Sequence, residues 1–213
     1  MPYVMTYNSL VESVQRWVKH AASSDFTAEL PRLIDSTERK VARALKTLLS
    51  IRYADDVLTV SNNLVPKPTR WLETVSLQIR IGSGFVQWKV LQQRDYEYIN
   101  QIYPNQNTTA EPRFFTDFEY DQIILAPTPA LAHPFRIGFY ERPASLDATN
   151  TQNWLTRNAP DLMLYGLLLE SAPFLRADER MELWGKEYDR KLIEITGEDK
   201  RRTATRAEKS EEA

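Results

Sequence analysis

The sequence contains no cysteine, which excludes disulfides, thiolate metal sites and a cysteine nucleophile. It has only two histidines, His20 and His133, and no His-Glu-x-x-His arrangement, so no metal site is expected. Its six glycines form no Gly-x-x-x-x-Gly-Lys-Ser/Thr phosphate cradle, and no Gly-x-Ser-x-Gly elbow presents a serine nucleophile. Neither sign of charge dominates: 27 Lys and Arg against 29 Asp and Glu leave a net charge of -2. Proteins that grip nucleic acid carry a basic excess, so tight DNA binding is not expected. No apolar run approaches the roughly 18 residues of a membrane span, and residues 1–8 lack the basic flank and apolar run of a signal peptide. What remains is ordinary globular composition, 42% apolar and 26% charged, enough for one sizeable core with a small second subdomain.

The chain is organised around residues 158–192, which read as two helices joined by a short turn. Asn158 is a plausible N-cap, with Pro160 in the first turn, where a missing N–H costs nothing. Leu162, Met163, Leu164, Tyr165, Leu167, Leu168 and Leu169 cover nearly the whole circumference, the pattern of a helix buried on all sides. Pro173 is expected to end it. The second helix, capped by Asp178 and stopped by Gly197, carries one apolar stripe of Met181, Trp184, Tyr188, Leu192 and Ile195.

Two helices are expected before this pair. Ser9 to Glu12 matches a capping box and opens a helix to about His20. A longer helix starts near Thr27 or Ala28, with Pro31 in its first turn, and ends near Leu49. Its apolar face is Leu33, Ile34, Thr37, Val41, Ala44, Leu45 and Leu48, with Glu38, Arg39, Lys40 and Arg43 mostly elsewhere. From Asp55 the period changes to two. Residues 57–60 and 64–65 read as a hairpin across Ser61-Asn62-Asn63. Trp71 to Ile81 alternates best, with Val75, Leu77, Ile79 and Ile81 on one side, and 85–91 is its return strand. A short helix follows over Asp95–Tyr103. Two strands lie within 113–125, bent at Glu119–Asp121, and a last strand runs over 135–140.

Helices segregated from strands indicate an α+β chain. The simplest arrangement is a four-helix bundle formed by the N- and C-terminal helix pairs, with an inserted small antiparallel β module. The expected segments are 1–54 and 144–197 for the bundle and 55–143 for the insertion. Residues 198–213 form an extended charged tail with five acidic and five basic residues and no aliphatic larger than alanine. Such a segment cannot bury enough surface to order itself, so another subunit or protein is expected to hold it. Glu170, at the end of the most apolar helix, should pair with Arg39 or Arg43 on the 28–49 helix. No residue pattern names a reaction: no catalytic residue, cofactor or metal is expected.

The run Asn153-Trp-Leu-x-x-Asn-Ala-Pro-Asp161, with Leu-Tyr-Gly-Leu-Leu-Leu-Glu-Ser-Ala-Pro173, Asp178-Glu-Arg180, Trp184 and Tyr188, resembles the C-terminal signature of tailed-phage head–tail adaptor (connector) proteins. Tyr7-Asn-Ser-Leu10 to Trp17, Leu30-Pro-x-Leu-Ile34 with Glu38-Arg39, and Tyr140-Glu-x-Pro143 are similar to earlier parts of that family. The resemblance implies a non-enzymatic virion protein assembled in the host cytoplasm. It implies a ring, typically of twelve copies, between the portal protein and the tail nozzle or tail-tube protein, with double-stranded DNA passing through. On that reading Lys200, Arg201, Arg202 and Arg206 are candidate portal-binding residues.

Overall fold

The computed structural model describes residues 4–18, 24–46, 49, 51–82, 87–105, 107–175 and 178–211, with 174–175, 178–179 and 198–211 described as backbone only. In chain order the elements are α1 (Tyr7–Trp17), α2 (Ser24–Ala44), β1 (Ile51–Val57), β2 (Leu64–Pro66), β3 (Trp71–Ile81), β4 (Gln87–Val90) and β5 (Gln92–Gln93). Next come α3 (Tyr96–Ile102), β6 (Thr109–Ala110), β7 (Phe114–Thr116), β8 (Gln122–Ala126), β9 (Thr128–Pro129) and β10 (Pro134–Glu141). The chain closes with α4 (Trp154–Asn158), α5 (Pro160–Leu175) and α6 (Asp178–Glu211). They form two compact units: Met1–Leu49 with Arg142–Ala213, and Ser50–Glu141.

In the helical unit α5 is central, and α1, α2, α4 and α6 all pack on it. Its Leu162, Met163, Leu167, Leu168 and Ala172 are buried, as are Leu10 and Val14 of α1, Phe26, Leu30, Ile34 and Val41 of α2, and Trp184 of α6. The caps differ from the expected ones. Thr6 caps α1, with Ser9 Oγ answering its backbone N–H at 2.7 Å, so the box starts three residues before Ser9. Asn153 caps α4, its oxygen accepting from Leu155 and Thr156. Asn158 is the last residue of α4 and caps nothing: its side-chain amide donates to the Trp154 carbonyl. Pro31 lies well inside α2, which starts at Ser24, and α5 runs through Pro173.

The strand unit has its own core of Leu58, Val65, Leu77, Ile79, Leu91, Phe115, Ile123, Leu125, Phe135, Ile137 and Phe139. One sheet is ordered β1-β10-β3-β4, a second β2-β8-β7-β5, and β6 pairs with β9. The β5–β7 and β6–β9 pairings are parallel. Residues 57 and 64 do not flank a hairpin: β1 pairs with β10 and β2 with β8, so the chain changes sheets there. In β3 a bulge sits opposite β10, where Gly138 faces Ser76 but Phe139 faces Thr74. The extra residue, Val75, is turned out to 45% exposure and Thr74 is turned in.

The expected four-helix bundle with a small antiparallel insert is therefore overturned. Among the described residues there are six helices and ten strands in three sheets. The strand segment closes a core of its own rather than decorating a bundle. Nor is the charged tail extended: the backbone of 198–211 continues α6 to Glu211. Gly197 lies inside this helix instead of ending it. Adding residues to an existing helix needs no new nucleus, and the Ala, Glu, Lys and Arg of the tail are strong helix formers. Among the described residues, no helix is long and apolar enough to cross a membrane.

Candidate functional site

The helical unit brings its polar residues together where α2 and α6 cross α5. Gly166 marks the crossing: a Cβ there would lie 2.9 Å from Thr37 Cγ2 and 3.3 Å from Tyr188 Cε2. The close approach is possible only because α5 lacks a side chain at that point. One turn further along α5, Glu170 accepts from Ser36 Oγ at 3.2 Å and Lys40 Nζ at 3.3 Å. Lys40 also lies 5.3 Å from the ring centre of Tyr188. Burial, then the charges of Asp189 and Glu170, raise the Tyr188 phenol above its ordinary pKa.

The cation on Glu170 is thus Lys40, not Arg39 or Arg43. Helical spacing is the reason: Ser36 and Lys40, four residues apart, share the face turned to α5. Arg39 is rotated off that face and pairs with Asp35 at 2.7 Å, and Arg43 is exposed.

The most deeply placed carboxylate is one the sequence reading sets outside the apolar face. Glu38 is 5% exposed. It accepts from the Leu146 backbone N–H at 3.1 Å and from Asn153 Nδ2 at 2.5 Å. Asn153 also donates to the Ala144 carbonyl at 3.0 Å while capping α4. One carboxylate therefore ties the segment returning from the strand unit to α2. Burial pushes its pKa up to about 7, against the lowering effect of the two donors; Asp35 adds to the rise and Arg142 opposes it. The signal was present in the sequence: residue 38 falls four after Ile34 and three before Val41, inside the buried stripe.

α6 is the other distinctive element. It runs antiparallel to α5: Gly166 faces Tyr188, and Lys191 Nζ lies 3.4 Å from Asp161 Oδ2 in the first turn of α5. Twenty further residues follow Lys191 before the helix ends at Glu211, about 30 Å at 1.5 Å per residue. Lys200, Arg201, Arg202 and Arg206 all lie on this overrun as helical backbone; their side chains lie outside the described residues.

Among the described residues no group of three or more His, Cys, Asp or Glu could hold a metal ion. A cavity under α3, lined by Tyr96, Ile99, Tyr103 and Leu125, has room for about one water. His133 Nδ1 lies 3.3 Å from the Arg80 carbonyl, and His20 lies outside the described residues.

A family model described as SU10 adaptor protein matches residues 5–209. The chain belongs to this SU10 adaptor protein family of phage head–tail adaptors, and so associates with other virion proteins in a structural role. No curated protein matches it.

Proposed function

We propose that the protein forms a ring of twelve copies in the virion neck, joining the portal protein to the tail nozzle or tail tube and surrounding the path of double-stranded DNA. The observation that carries this reading is the overrun of α6. After Gly197 the helix continues for fourteen residues of charged and small polar composition, about 21 Å. On this reading a neighbouring virion protein covers the extension, whose polar composition builds no core of its own. The basic residues of this stretch, Lys200, Arg201, Arg202 and Arg206, are the proposed portal contact. The net charge of -2 suits a conduit that must not hold the passing duplex, since multiple phosphate contacts would bind it tightly. Assembly takes place in the host cytoplasm.

Deleting residues 198–213 tests the reading. The truncated chain is expected to fold, with unchanged near-ultraviolet circular dichroism, and to fail in co-sedimentation with portal. Attachment at wild-type level by the truncated chain overturns the portal contact. Copy number on purified particles tests the ring: twelve supports the adaptor position, whereas six is the stoichiometry of many tail-completion rings.

A further inference from the structure

The bend between β7 and β8, residues 117–121, is held by one buried cation. Lys67, whose side chain is 7% exposed, lies 2.6 Å from Asp117 Oδ1. Its Nζ also donates to the carbonyl oxygens of Glu119 at 2.6 Å and Tyr120 at 3.1 Å, and sits 4.0 Å from the centre of the Trp71 ring. The backbone N–H of Lys67 donates to the Asp121 carbonyl at 2.9 Å, and Thr74 Oγ1 donates to Asp117 Oδ2 at 3.2 Å. Residues 117, 119, 120 and 121 are therefore all fixed from the strand unit's interior.

The side chains this rigid bend displays contribute little to the core. Phe118 is 61% exposed and Tyr120 is 91% exposed. Phe118 stacks on Tyr96 of α3, with centroids 4.3 Å apart and planes at 13°. Further along α3, Tyr98 and Ile102, four residues apart on one face, are exposed as well. Aromatic residues exposed singly are ordinary. Here they are grouped on a loop that is already ordered, so engaging a partner costs little loop entropy, and Tyr and Phe supply large contact area.

The rim indicates the partner. Asp95, Glu97, Glu119 and Asp121 are all exposed and flank the stacked pair in sequence. Of the cations beside the bend, Lys67 is enclosed beneath it, and Arg94 is committed to the Tyr98 ring at 5.5 Å and to Gln92 Oε1 at 3.0 Å. Acidic flanks repel phosphate and attract Lys and Arg.

We propose that the tip formed by Phe118 and Tyr120, backed by Tyr96, is a docking knob for a different virion protein that offers an apolar cleft edged by Lys and Arg. This deepens the adaptor reading above and rests on it for the partner being a virion component.

The test places the photo-crosslinker p-benzoylphenylalanine at position 120 of the full chain in assembled particles. The proposal expects a covalent link to a peptide of a different virion protein with Lys or Arg beside an apolar stretch. Tyr120→Ser and Phe118→Ser should lower infectious-particle yield by about tenfold or more, as loss of an interface hot spot does. The melting temperature and copy number of Tyr120→Ser should stay at wild type, because its side chain is almost wholly exposed. A link to a second copy of this chain or to DNA, no link at all, or wild-type yield from both variants overturns the knob. A correct link from a ring of the wrong copy number defeats the adaptor position and leaves the knob standing.

Discussion

Replacing Glu38 by Gln separates the two effects that this carboxylate has on the helical unit. The ordinary pKa of 4.5 rises to about 7 in the folded protein, with burial as the main cause. A gap of that size corresponds to about 3 kcal/mol between the protonated and ionised forms. The folded value is raised, so the protonated group's stabilising contribution is fully present below pH 4.5. It is lost as pH rises through about 7. Wild type should therefore lose about 3 kcal/mol from this residue between pH 4 and pH 8, and the Gln variant should not. Gln carries a cost of its own. It offers one acceptor oxygen to two donors, Leu146 N–H and Asn153 Nδ2, and turns an NH2 toward one of them. That mismatch costs about 1–3 kcal/mol at any pH. Urea unfolding of both proteins at pH 4.5, 6 and 8 reads the difference directly. Glu38→Gln should be clearly less stable at pH 4.5 and should approach or overtake wild type at pH 8. A difference that stays constant across this range would refute the claim that burial governs Glu38.

Two further predictions concern packing. Lys67→Met should destabilise the protein by about 3 kcal/mol in urea, because it leaves a half-enclosed Asp117 carboxylate and two carbonyls without their shared cation; a loss below about 1 kcal/mol would contradict the caged-cation account. Gly166→Ala should lower the melting temperature despite alanine's better helix propensity, since its methyl meets Thr37 Cγ2 at 2.9 Å. Adding Thr37→Ser, which deletes that methyl and keeps the hydroxyl bond to the Leu33 carbonyl, should restore most of the loss, and failure of this rescue would place the strain elsewhere.

The sequence made some of this fold legible because a few segments speak through periodicity alone. The all-round apolar run of α5 is buried, and the stripe of α6 places Trp184 and Tyr188 inward. β3 and β10 follow their alternation closely enough to find the strands, but no pattern announces the bulge that turns Val75 out. Strand pairing was the larger failure. Ser61-Asn62-Asn63 is good turn chemistry, yet Leu58 and Val65 are drawn into the core while β1 and β2 pair with β10 and β8, a long-range preference that local residues do not encode. The tail misled in the opposite way. Its composition cannot build a core, but it can extend a helix already formed, and α6 supplies that helix. Of the residues marked as candidates, Glu170 does meet α2, through Lys40 rather than an arginine. Glu38 and Lys67 went unmarked because a charged residue reads as surface until its partners, 108 and about 50 residues away in sequence, are placed beside it.

The antiparallel pairing of β1 with β10 sets Ile51 directly opposite Tyr140. The two points where the chain enters and leaves the strand segment are therefore neighbours, about 5 Å apart as in any paired ladder. An insert whose ends meet in this way behaves as a cassette. A linker of a few glycines could bridge the same gap, so replacing residues 52–139 by such a linker asks of the helices no change in where their chain ends lie.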